Sequence, residues 1–91
     1  MLDLNVAVKL NKNIVLRGLA DKYWALDVTT GSQYKLNEVS YTLLNLCREP
    51  KTTAQIVDLM LQEYNVSQEQ LMTDCCSVLQ PAIEKGIVKE V

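Results

Sequence analysis

The chain contains no histidine, and that gap narrows its chemistry at once. Histidine is the commonest general base and the centre of the usual nucleophile triads, so neither arrangement is available. A zinc site takes four ligands as a rule, and its most frequent nitrogen ligand is missing here. Cysteine is scarce and odd in number: Cys47, Cys75 and Cys76. The last two are neighbours on an expected helix and point about 100° apart, which would strain a disulfide between them. All three read as small, buried, hydrophobe-like thiols of a reducing compartment. No cofactor and no metal is expected.

Long apolar runs are absent too. No stretch approaches the roughly 18 apolar residues of a membrane span. Met1-Leu2-Asp3-Leu4-Asn5 has no basic start, so no signal peptide is expected and the cytoplasm is the simplest location. Neither sign of charge dominates: nine Lys and Arg stand against eleven Asp and Glu, for a net charge of -2. That balance argues against nucleic acid or a membrane as default partner, although a local basic patch remains compatible with it. There are no repeats, low-complexity tracts or linkers. The 91 residues, 48% hydrophobic, are read as one domain over 1–91 with residues 1–12 as a lead-in arm. A chain of this size buries somewhat more than about 60% of its unfolded surface, enough for a core without staples.

What is present is most legible between Leu26 and Asn37. Val6, Val8 and Leu10 alternate and allow a short strand or an arm. Residues 13–19 carry the β-branched run Ile14-Val15, and after a turn at Ala20-Asp21-Lys22 a second strand runs from Tyr23 to Val28. Its alternation sets Trp24, Leu26 and Val28 against Tyr23, Ala25 and Asp27. Thr29-Thr30-Gly31 makes the next turn, with Gly31 supplying positive φ. Ser32 to Leu36 is the third strand, with Tyr34 and Leu36 on one face, Gln33 and Lys35 on the other. Short connections make these strands an antiparallel meander. Nothing in the sequence obviously covers the outer edge of the third strand. An uncovered edge is a row of unpaired N–H and C=O groups that invites another chain. A peptide-binding adaptor, not an enzyme, is therefore the leading expectation.

Three helices are expected next. Asn37 is an N-cap beside Glu38, and that helix buries Val39, Leu43, Leu46 and Cys47 before Pro50. Thr52 and Gln55 have capping-box spacing and open a second helix with Ile56, Leu59, Met60 and Tyr64 inward, stopped at a left-handed Asn65. Ser67 and Gln70 repeat the spacing for a third, with Leu71, Cys75, Val78, Leu79 and Ala82 as its stripe. Pro81 within it predicts a kink or an end near Gln80, since its nitrogen cannot bond the Ser77 carbonyl. Sheet followed by helices is an α+β order.

The series Leu26-Asp27, Thr30-Gly31, Leu36-Asn37, Leu43-Leu44, Leu46, Thr53, Ile56-Val57, Tyr64, Asp74, Val78-Leu79 and Gly86-Ile87 resembles the PqqD family, the winged-helix-like modules called RiPP recognition elements. The resemblance covers roughly 13–91. Two stretches depart from the family pattern: Arg48-Glu49-Pro50-Lys51 replaces a usual glycine, and Pro81-Ala82 replaces larger apolar residues. The resemblance implies a winged-helix-like fold, a three-stranded antiparallel sheet followed by three helices. It implies binding of the leader of a ribosomally made precursor peptide, added as a strand against the third strand and seated in a groove beside the third helix. Ser32, Gln33, Tyr34 and Lys35 would supply the ladder. Leu71, Cys75 and Val78 would form the apolar wall, Asp74 would meet a basic or hydroxyl group, and Lys35 an acidic one. Each side chain also has a plainer role: the three apolar ones as core, Asp74 as a solvated residue, Tyr34 as core with its hydroxyl at the rim. A modifying enzyme of the same pathway is the implied second partner, served by proximity and effective concentration.

Three rivals share the pattern. A DNA-binding winged helix would use residues 67–85 for recognition, but these offer Glu69, Asp74 and Glu84 against Lys85, a poor phosphate surface. An enzyme would need one cysteine as nucleophile, with no base to lower its pKa. A structural subunit would bind its enzyme and no peptide.

Overall fold

The computed structural model describes residues 5–91; residues 1–4 of the expected lead-in, with the non-basic start, lie outside that range. The elements in chain order are β1 (Ala7–Leu10), β2 (Ile14–Leu19), β3 (Lys22–Asp27), β4 (Gln33–Leu36), α1 (Glu38–Leu46), β5 (Lys51–Thr52), α2 (Thr53–Leu61), α3 (Gln68–Glu84) and β6 (Val88–Glu90). They form an α+β fold in which β2, β3 and β4 make the expected antiparallel meander. A second sheet, ordered β5-β1-β6 and antiparallel throughout, joins the two ends of the chain. Part of the lead-in is thus a central strand, with Val8 fully buried.

The local signals act where they stand. Asn37 accepts from the Ser40 N–H and starts α1. Thr52 and Gln55 close a full capping box on α2, and Ser67 accepts from the Gln70 N–H at α3. Each removes an orphan donor of the first turn. The buried faces are Leu43, Leu44 and Cys47 on α1, Thr53, Ile56, Val57 and Met60 on α2, and Leu71, Cys75, Leu79 and Ala82 on α3. They meet Leu10, Ile14, Leu16 and Ala25 from the strands in one core. Leu59, expected inward, is only half-buried, and Val57 takes the inner position beside Ile56.

Two turn expectations are corrected. Asn65 is not left-handed; among the described non-glycine residues only Ala20 has positive φ, at 57°. The two-residue link between β2 and β3 demands it there. Pro81 does not end α3, which continues to Glu84. Tertiary closure outweighs the lost bond: Gly86 adopts φ 76°, its N–H donates to the Ile83 carbonyl, and the Ile87 N–H donates to Ala82. This is a Schellman closure, and it packs Ile87 against Ala82 as β6 begins.

Candidate functional site

The position of β4 is fixed from its turn. Asp27, at the end of β3, accepts from the side chain of Asn13 at 3.0 Å and from the backbone N–H groups of Thr29 and Thr30 at 2.9 and 3.2 Å. The Asn13 bond foremost holds its carboxyl below the ordinary range, against the opposing push of burial, and the turn N–H groups add to that. Gly31, at φ 78°, then returns the chain so that the Asp27 N–H donates to the Ser32 carbonyl at 2.9 Å.

That bond decides which way the backbone of β4 faces. Hydrogen-bonded and non-bonded pairs alternate along an antiparallel ladder. With Asp27 and Ser32 bonded, the register makes Ala25/Tyr34 and Tyr23/Leu36 the next bonded pairs, and Leu26/Gln33 and Trp24/Lys35 the non-bonded ones. The N–H and C=O groups of Gln33 and Lys35 therefore point away from β3. Among the described residues no strand pairs with that side of β4. The N-terminal strand, which might have capped this edge, is held in the other sheet by β5 and β6.

Beside the open edge runs a groove between β4 and α3. A hollow of about 170 Å³ is walled by Tyr34 and Leu36 on one side and by Val78, Pro81 and Lys85 on the other, with Leu44, Ala82 and Ile87 below. The Lys85 ammonium lies 5.5 Å from the centre of the Tyr34 ring, within cation–π range, and ties the helix to the strand.

The structure sorts the expected residues. Gln33 and Lys35 present backbone to the open edge, and Lys35 joins Tyr34 in lining the hollow. Ser32 precedes β4, and its carbonyl is already taken by Asp27. The Lys35 side chain stands opposite Trp24, on the sheet face away from Tyr34. Val78 lines the hollow. Leu71 and Cys75 do not: at 2% and 0% exposure they face the core and offer a ligand no surface. Asp74 is half-buried and takes a 2.9 Å bond from the Gln70 side chain. Leu36, Pro81 and Lys85 were missed. The signal for two of them was the helical repeat Asp74, Val78, Pro81, Lys85, a stripe one position aside from the core stripe.

Two of the three thiols are muted. Burial pushes Cys47 up to about 12, outweighing the nearby Lys51 charge. Burial, aided by Cys76 and Asp74, raises Cys75 to about 11. Both are thus poor sources of thiolate. Among the described residues no helix is long and apolar enough to cross a membrane.

Comparison with known proteins finds a family and similar folds. The family described as Coenzyme PQQ synthesis protein D (PqqD) matches residues 22–88. No curated protein matches the sequence. Among solved structures, TbiB1 in complex with the TbiA(beta) leader peptide is similar, with a TM-score of 0.75 and 25% identity over 88% of this chain and 93% of that one. A lasso peptide synthetase B1 complexed with the leader peptide gives 0.74 and 17% identity over 89% and 95%. The PqqD truncation of Methylobacterium extorquens PqqCD, a stand-alone RiPP recognition element, gives 0.82 and 18% identity over 98% and 95%. The last two likenesses concern the fold.

Proposed function

This chain belongs to the PqqD family, and we propose that it binds the leader segment of a ribosomally synthesised precursor peptide. The leader adds as a strand to β4, pairing with Gln33 and Lys35, and seats alternate side chains between β4 and α3. The open edge of β4 carries this reading. Main-chain pairing supplies affinity with little regard to sequence, and the hollow at Tyr34, Val78 and Lys85 supplies selectivity. TbiB1, similar over most of both chains, was solved with a leader peptide bound.

The protein works without catalysis of its own, as a single recognition domain in the cytoplasm. Its three cysteines are free, as a reducing compartment leaves them. By holding the leader it brings the downstream core peptide to a modifying enzyme of RiPP or pyrroloquinoline quinone-type biosynthesis, at effective concentrations that reach the millimolar range. Asp74 sits one turn above Val78 on the same stripe, where a basic or hydroxyl group of a longer leader would meet it.

Amide exchange tests the reading directly. The probe is a synthetic leader segment of a candidate precursor peptide. In the free protein the Tyr34 and Leu36 amides, bonded to β3, exchange slowly, and those of Gln33 and Lys35 exchange fast. On adding leader, Gln33 and Lys35 become protected. Protection confined to α2, or none at all, sinks the placement.

A further inference from the structure

A second hollow, of about 300 Å³, shares no residue with the groove beside β4. The register of β1 and β6 sets Lys9 directly opposite Lys89, an arrangement of like charges that destabilises a sheet. Lys12, just beyond β1, and Arg48, just past α1, complete the same wall, over a floor of Leu10 and Ile14. Four of the nine Lys and Arg of a chain with net charge -2 thus surround one concavity. Among the described residues no carboxylate lines it and none of the four forms an ion pair. The Arg48 Nε donates to Asn45 Oδ1 at 2.7 Å, which orients the guanidinium and leaves its terminal NH2 groups to a ligand.

We infer that this hollow binds a compact polyvalent oxyanion, a short phosphate chain. Four cations around a hollow with no carboxylate among its described lining residues favour a ligand bearing several negative charges. The volume is at the lower end for small-molecule sites. A guanidinium fork set among point-charge ammoniums suits phosphate oxygens. A second copy of the chain is a poor occupant, because two such faces repel. The phosphate chain is either free or carried on a nucleotide, whose base would rest on Leu10 and Ile14.

The test is a titration of the labelled full-length chain with sodium tripolyphosphate at constant ionic strength, followed by amide shifts. Saturable shifts at Lys9, Lys12, Arg48 and Lys89 are expected, with a rise in melting temperature from ligand linkage. The double variant K9Q/K89Q loses about tenfold or more in affinity and, freed of its like-charge pair, melts no lower than the parent. Tighter binding of ATP, with added shifts at Leu10 and Ile14, assigns a nucleotide; equal binding assigns the phosphate chain alone. The inference is overturned if sodium chloride produces the same shifts, if they spread equally to Lys22 and Lys85, or if K9Q/K89Q binds as well. Saturation by single-stranded RNA or anionic vesicles, with none by tripolyphosphate, overturns it too. Leader binding at β4 is unaffected by these substitutions.

Discussion

The side-chain amide of Asn13 donates to Asp27 Oδ1 at 3.0 Å, fastening the residue before β2 to the last residue of β3, at the base of the turn into β4. The same carboxylate oxygen accepts from two backbone N–H groups of that turn. One buried acid, 8% exposed, therefore aims the strand edge that meets the peptide.

Its titration has a sign. The folded carboxyl is held below the ordinary Asp range. Its contribution is complete above the unfolded pKa, about 3.9, and fades as pH falls through the lower folded value. Melting temperature should drop along this acid limb. Asp27→Asn should melt lower at neutral pH and show a shallower decline below pH about 4. Identical acid limbs in the two proteins would remove Asp27 from this role.

Proline scanning separates the two sides of β4. Lys35→Pro removes an outward N–H, which an edge strand tolerates. It should weaken leader binding about fivefold, the worth of one hydrogen bond, with the fold intact. Tyr34→Pro removes an inward ladder bond and leaves the Ala25 carbonyl unpaired, and should cost about 1–3 kcal/mol of stability. Denaturant unfolding and leader titration of both variants check the contrast.

Helix α3 offers a similar contrast. Leu71→Ala opens a core cavity and should cost about 2–5 kcal/mol by denaturant unfolding. Val78→Ser sits on the hollow and should cost under about 2 kcal/mol, while leader affinity falls. A Val78→Ser protein that binds leader like the parent would place the peptide elsewhere.

Ala20 bears the strain of its turn. At φ 57° an L-residue is disfavoured by roughly 1–2 kcal/mol, part of which glycine returns as unfolded-state entropy. Ala20→Gly should therefore raise stability by about 0.5–1 kcal/mol. The shift in the urea midpoint at unchanged slope measures it.

What the sequence determined by itself is local. Caps at Asn37, Thr52 and Ser67 start the helices because each side chain satisfies an N–H three residues away. The strand, turn and strand from Tyr23 to Leu36 follow from alternation and Gly31, so the open edge was legible before any fold. The tertiary structure decided what depends on distant partners. Lys51 and Thr52 form a strand only because Val8 and Ala7 lie opposite them, and so short a segment has no pattern to read. Leu71, Cys75 and Val78 look alike as a stripe, and only packing against α2 and α1 turns the first two to the core and leaves the third at the hollow beside β4. Pro81 stays helical because the closure at Ala82, Gly86 and Ile87 holds the chain beyond it, and that closure serves β6, which pairs with a strand at the other end of the chain.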